Sequence, residues 1–316
     1  SWELQMFFFM VFSLLYVATM VGNSLIVITV IVDPHLHSPM YFLLTNLSII
    51  DMSLASFATP KMITDYLTGH KTISFDGCLT QIFFLHLFTG TEIILLMAMS
   101  FDRYIAICKP LHYASVISPQ VCVALVVASW IMGVMHSMTP FIEYLLIRVS
   151  FLHCLSLLTL LKNSWLQVRG FVFGFCILFY CLSFTFSLLV SSYIIILVTV
   201  WLKSSAAMAK AFSTLASHIA VVILFFGPCI FIYVWPFTIS PLDKFLAIFY
   251  TVFTPVLNPI IYTLRNRDMK AAVRKIRTSI SHFRQRTDHL DKNSAKKTTN
   301  TKRTLDHVDL PDSHRT

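Results

Sequence analysis

Charged residues are scarce in this chain. Asp, Glu, Lys and Arg make up only 12% of its 316 residues, against roughly 25% in a soluble domain. Apolar residues reach 56% and the mean hydropathy is +0.74, so a soluble globular fold is excluded and a polytopic helical membrane protein is expected. The seven cysteines form no CxxC pair and no His/Cys cluster at metal-ligand spacing, which leaves no basis for a zinc site. Neither a metal nor a cofactor is expected, and no catalytic activity. The last apolar run holds no lysine, Lys244 standing only at its edge, which argues against a retinal-binding pump. No internal repeat or paired broken helix argues for a transporter or channel. The lone Asn-x-Ser/Thr sequon, Asn46-Leu47-Ser48, lies inside an apolar run and should not be glycosylated. Neither an initiator Met nor a cleavable signal peptide is visible at Ser1, and a short extracellular amino-terminal stretch is expected to be missing.

The net charge of +9 is a poor pointer to nucleic acid. More than half of the Lys and Arg residues lie from Arg265 onward. A basic segment directly after the last apolar run reads as cytoplasmic and drawn to anionic lipid. Runs suited to a ~20-residue crossing cover Phe7–Val32, Pro39–Pro60, Cys78–Phe101, Val121–Pro140, Phe171–Leu202, Phe212–Trp235 and Phe245–Leu264. Seven crossings with a basic cytoplasmic end put the amino terminus outside. The stretch Phe141–Leu161 is also apolar, but as an eighth span it would carry Glu143, Arg148 and His153 and throw the basic tail outside. It is therefore read as an outer loop. The fold expected is an all-α seven-transmembrane bundle over residues 1–265. A short amphipathic interfacial helix should follow over 266–282, then a disordered cytoplasmic polar tail over 283–316. In the helix Met269, Val273, Ile276 and Ile280 form one apolar stripe opposite Lys270, Arg274 and Arg277, the pattern of a helix lying on a membrane. No cysteine follows Cys229, so palmitate cannot anchor it.

Polar groups inside the runs carry the functional signal. Asp102 and Arg103 stand side by side at the end of an apolar helical run. An arginine at mid-bilayer costs roughly 2.5–3.5 kcal/mol on the insertion scale, which places this pair at the interface. Asp102 can lock Arg103, and release of the lock can free it for a partner. Asp51 and Glu92 are carboxylates far from helix ends, with Asn23 and Asn258 in similar settings. Intramembrane ionisable groups are functional candidates by default. Together with Ser48, Ser100 and Asn258, the two carboxylates can hold a sodium ion or share a proton.

These residues fall into an ordered set. Gly22-Asn23, Leu36-His37-Ser38-Pro39-Met40-Tyr41-Phe42, Leu47-Ser48 with Asp51, and Met97 to Cys108 followed by Lys109-Pro110-Leu111-His112-Tyr113 come first. Ser192-Tyr193, Lys210-Ala211-Phe212-Ser213-Thr214 with Ser217-His218, and Pro255 with Asn258-Pro259-Ile260-Ile261-Tyr262 follow. The chain resembles the olfactory receptors, rhodopsin-like G-protein-coupled receptors. The resemblance implies that Asp102, Arg103 and Tyr104 form the coupling switch. It implies that Tyr193, Asn258, Pro259 and Tyr262 rearrange on activation. Lys210 to His218 would then form the inner end of the sixth helix, which meets the G protein, and Asp51 and Glu92 would fall where sodium binds. Implied partners are a small volatile hydrophobic ligand, a stimulatory heterotrimeric G protein and membrane lipid, at the plasma membrane.

The ligand pocket is expected among the outer halves of the spans. Its candidates are Leu85, His86, Thr89 and Gly90 on the third, Phe226, Cys229, Ile230 and Tyr233 on the sixth, and Ala247, Tyr250 and Thr251 on the seventh. No carboxylate stands near Leu85 and His86, so an amine anchor is missing and a neutral hydrophobic ligand fits best. The resemblance implies a disulfide from Cys78 to the outer loop, where Cys154 is the cysteine present. Between Thr139 and about Ser191 the resemblance fails and then recovers register. That leaves a degenerate, non-signalling receptor product as the alternative reading.

Overall fold

The computed structural model describes residues 2–69, 72–152, 186–199, 215–228, 246, 248–266, 268–278, 281 and 285. Those residues are almost wholly helical, and no strand occurs among them. Helices α1 (Trp2–Val32), α2 (Pro39–Thr68), α3 (Phe75–Cys108) and α4 (Pro119–Leu152) come first. Described stretches of α5 (Phe186–Thr199) and α6 (Leu215–Pro228) follow. Next are α7 (Thr254–Arg265), entered through a π-helical turn at Phe249–Phe253, and α8 over 268–278. The first four contain windows long and apolar enough to cross a membrane. The 31 residues of α1 span about 46 Å at 1.5 Å per residue, more than a ~30 Å hydrocarbon core requires.

Local chemistry sets the helix ends. Pro39 occupies the first turn of α2, where its missing N–H costs nothing. Gly69 closes α2 in the left-handed conformation at φ 73°, its N–H bonding to the Asp65 carbonyl. Ser74 caps α3 by accepting from the Gly77 amide at 3.1 Å. Asn266 caps α8: its Oδ1 accepts from the amides of Asp268 and Met269 at 3.0 and 3.2 Å, and its amide donates to the Tyr41 hydroxyl at 3.0 Å.

Two ends differ from expectation, and both involve proline. The second span was expected to stop at Pro60, yet α2 continues to Thr68. The fourth was expected to stop at Pro140, yet α4 continues to Leu152, so the first part of Phe141–Leu161 is helix rather than loop. A proline removes one intrahelical bond, but in an apolar bundle the helix can carry on past it.

The bundle is built with small residues at its crossings. A Cβ on Gly22 would lie 2.9 Å from Pro259 Cγ, so α1 and α7 touch there at the backbone. Between α3 and α4 the fit is reciprocal. A Cβ on Gly133 would overlap the Thr91 hydroxyl, and a Cβ on Gly90 would lie 2.8 Å from His136 Cβ. Such close approach is how membrane helices associate when lipid removes the hydrophobic drive between them. The interior is apolar along α2 and α3, where Leu43, Leu47, Ile50, Leu54, Leu95 and Leu96 are fully buried. Much of α1 is apolar and outward-facing, Met10, Leu14 and Val21 among it, which suits lipid rather than water.

The chain divides into two compact units, Ser1–Met269 and Lys270–Thr316. In the second, Ala272 is buried while Arg274, Lys275 and Arg277 are exposed. Ile280 and nearly all of the tail lie outside the described residues.

Candidate functional site

Asp102 is fully buried at the end of α3, and both carboxylate oxygens are engaged. Arg103 reaches Oδ2 through Nε at 2.9 Å and also through a terminal guanidinium nitrogen. The Tyr113 hydroxyl donates to Oδ1 at 2.7 Å. Tyr113 comes from a short helical turn, Tyr113–Val116, that follows the 3-10 turn Pro110–His112. It is held there by an apolar cluster of Ile105, Ile117 and Cys122, against which Tyr104 and Val116 also pack. Tyr104 therefore supports the lock from the apolar side rather than joining the ion pair. Burial first, and then the Asp102 charge, push the Tyr113 phenol above its ordinary value, so it stays a donor.

A second group lies deeper. His218 of α6 meets the Tyr262 hydroxyl of α7 at 3.1 Å through Nδ1, and the Tyr193 ring of α5 packs edge-on against His218 with centroids 5.8 Å apart. All three side chains are buried. Ser100 of α3 and Ser192 of α5 share a hydrogen bond of 2.7 Å. The Arg103 charge acts on both His218 and Tyr262. Four helices, α3, α5, α6 and α7, thus meet through polar side chains. Lys210 lies outside the described residues.

The third group links α2, α3 and α7. The Asn258 amide donates to both oxygens of Asp51, at 3.1 and 2.9 Å. Glu92 is buried with neither carboxyl oxygen partnered among the described residues, and Asn258 Oδ1 is equally without a donor. Asp51 and Glu92 are electrostatic neighbours. The site is therefore rich in acceptor oxygens and poor in donors, a combination that calls for a proton, a water or a hard cation. Beside it, the Asn23 amide donates to the Pro255 carbonyl at 2.9 Å and to Thr19 at 3.1 Å.

The expected ligand pocket is only partly brought together. His86 stacks on His136 of α4 with centroids 5.4 Å apart. Gly90 is filled by His136 instead of facing open space. Leu85 is half-buried, Thr89 is buried, and Phe226 is buried against Phe186 and Phe225. Tyr250 and Thr251 lie in the π-helical turn before α7, half-buried. Cys229, Ile230, Tyr233 and Ala247 lie outside the described residues. Cys78, in the first turn of α3, is a free thiol among the described residues. Helix α4 carries the chain on to Leu152 where an outer loop was expected, and Cys154 lies outside the described residues. A separate cavity of about 500 Å³ lies between α3, α4 and α5, lined by Ile94, Met97, Phe101, Leu125, Leu189 and Ile195 among others.

A family model described as olfactory receptor matches residues 12–279. The chain belongs to the olfactory receptor family. It is an odorant-sensing G-protein-coupled receptor, and its helices are those of a seven-transmembrane bundle. Olfactory receptor 4K2 of Homo sapiens is 70% identical over 290 residues, covering 90% of this chain and 92% of the relative. Olfactory receptor 4K5 of Homo sapiens is 61% identical over 299 residues, covering 90% and 88%. Olfactory receptor 4K3 of Homo sapiens is 54% identical over 296 residues, covering 92% and 93%. The matched range spans 139–191, and nothing in these likenesses favours a degenerate product.

Two residues of this olfactory receptor stood in view without being singled out. Tyr113 closes the run Lys109–Tyr113, and its role depends on the loop turning back over α3. His136 is an ionisable residue inside an apolar span, a signal that could have marked it. The lock yields a direct expectation. Tyr113→Phe removes one hydrogen bond to Asp102, worth about 0.5–1.5 kcal/mol. Ligand-independent nucleotide exchange on the G protein should rise severalfold at equal surface level. Unchanged basal exchange would leave Tyr113 as packing alone.

Proposed function

We propose that this receptor works at the plasma membrane with its amino terminus outside, and couples to a stimulatory heterotrimeric G protein through the Arg103 end of the bundle. The observation that carries the reading is the lock itself, in which one buried carboxylate holds Arg103 on one oxygen and Tyr113 on the other. Beside it Leu111 is 95% exposed, an apolar side chain standing free between Lys109 and His112 where a protein partner can cover it. The ligand is a small, mostly neutral, hydrophobic odorant held among the outer halves of the helices. Its binding favours a rearrangement of Tyr193, His218 and Tyr262 that frees Arg103 from Asp102, with Asn258 and Pro259 as the yielding part of α7. Lys210 and the inner end of α6 meet the same partner. Residues 266–282 lie on the inner membrane surface as an amphipathic helix, and 283–316 form a polar cytoplasmic tail.

Asp51, Glu92 and Asn258 form a site for a sodium ion or a shared proton that stabilises the resting arrangement. Two carboxylates, an amide oxygen without a donor and exclusion of bulk water match what a hard cation needs.

Replacing Arg103 by Ala should leave insertion and surface level intact and bring odorant-driven nucleotide exchange down to background. A variant that still responds like the parent would sink the switch. For the buried site, exchanging sodium for a bulky organic cation should lower the thermal transition of the purified receptor by several degrees, an effect that Glu92→Gln should remove. A transition indifferent to sodium but moved by pH would leave the shared proton instead.

A further inference from the structure

His86 and His136 are arranged more closely than packing needs. His86 Nδ1 lies 2.9 Å from the Ile82 carbonyl, and His136 Nδ1 lies 3.0 Å from the carbonyl of His86 itself. A carbonyl oxygen only accepts, so both Nδ1 atoms carry the hydrogen. In a neutral imidazole the other nitrogen is then an acceptor, which fixes both Nε2 atoms as lone-pair sites. The rings are stacked, with centroids 5.4 Å apart and planes 29° from parallel, so the two acceptors belong to one local surface. No described side chain donates to either Nε2, and neither is among the sealed atoms without a partner. Both remain open to a ligand.

The setting is built for the pair. His136 reaches the α3 backbone only because residue 90 is glycine, since a Cβ there would lie 2.8 Å from His136 Cβ. A mid-helix glycine costs roughly 0.5–1 kcal/mol relative to alanine, and two polar rings within apolar spans cost more unless they are used.

We propose that His86 and His136 together form a double hydrogen-bond acceptor that selects odorants bearing a neutral O–H group, alcohols and phenols, over ethers and aldehydes of the same shape. This rests on the reading of the α3 face at Leu85, His86 and Thr89 as part of the odorant pocket. An alcohol supplies the donor that this pair lacks. An ether or aldehyde offers only lone pairs and leaves both Nε2 atoms unpaired once water is displaced. Discrimination of this kind is large because the penalty falls on buried groups of the site. A cationic amine also brings donors, but no carboxylate among the described residues bonds to either ring to balance its charge.

The test uses the full chain displayed on cells, with surface level measured beside nucleotide exchange on the G protein. The probes are saturated primary alcohols and simple phenols, each with its methyl ether, and the aldehyde of each alcohol. Alcohols and phenols should act at concentrations about tenfold lower than their ethers, the worth of one good hydrogen bond. His86→Asn and His136→Asn keep a donor for the backbone carbonyl, as Asn46 does toward Phe42 within its helix and Asn23 toward Pro255 on another helix, while deleting the Nε2 position. Each should weaken alcohols roughly threefold to tenfold relative to the matching ethers. Ethers equal to alcohols on the parent receptor would overturn the proposal, and so would Asn variants that keep the preference. The parent comparison decides alone if a variant fails to reach the surface. A surface-displayed receptor that answers ethers or aldehydes but no O–H compound overturns the selectivity and leaves the odorant-receptor coupling reading standing. One that answers no compound of any class overturns both.

Discussion

Proline at position 259 has no amide hydrogen, so the carbonyl of Pro255, one turn back in α7, has no donor in its own helix. In water a solvent molecule would take it. In hydrocarbon nothing will, and an unpaired backbone group there costs several kcal/mol. The Asn23 carboxamide of α1 supplies the missing donor at 2.9 Å. It can do so only because Gly22, its neighbour, lets α1 come within 2.9 Å of the proline ring. One glycine, one asparagine and two prolines on helices more than 200 residues apart therefore act as a single joint. Pro255 itself follows a wide π-helical turn in which the Thr254 amide bonds back to the Phe249 carbonyl, so this stretch is where α7 is weakest in its own bonds.

The joint matters because α7 carries the groups on which the polar interior depends. Asn258, between the prolines, is the donor to Asp51, and Tyr262, one turn on, is the partner of His218. Asn266 then ends α7, bonds Tyr41 of α2 and caps the next helix. A helix whose hydrogen bonds are borrowed from its neighbours can be shifted by changing those neighbours, without breaking its own ladder. Tyr262 bonds to His218 of α6, against which the Tyr193 ring of α5 packs, so a shift of α7 reaches both of those helices. This is the physical content of a two-state element: packed groups with a small number of alternative partners, biased by a ligand that contacts one arrangement better.

Long apolar runs and rare charges made the bundle readable from the sequence, because a bilayer leaves so few solutions. Asp102 and Arg103 were readable as a pair because they are adjacent, and Asp51 and Asn258 as candidates because polar groups in a span are costly. What could not be read was rotation and reach. Pro60 and Pro140 looked like helix ends, yet both helices run on, since a proline's missing bond is a local defect rather than a stop. Gly90 looked like a pocket-facing gap, and only the setting of α4 against α3 shows His136 filling it. Tyr113 belonged to a visible motif, but its bond to Asp102 depends on a turn of the loop that no periodicity encodes. The pairing of Cys78 was inferred from likeness, and its expected partner Cys154 lies outside the described residues.

The dependence of α7 on its neighbours is open to one direct measurement, amide hydrogen exchange over residues 256–266 of the purified receptor. Asn23→Leu fills the same space but offers no donor to the Pro255 carbonyl. The amides of 256–266 should then exchange at least several times faster than in the parent, while those of α3 keep their protection. Equal protection of α7 in the two proteins would contradict the account, because the helix would then be shown to hold itself without the carboxamide of α1.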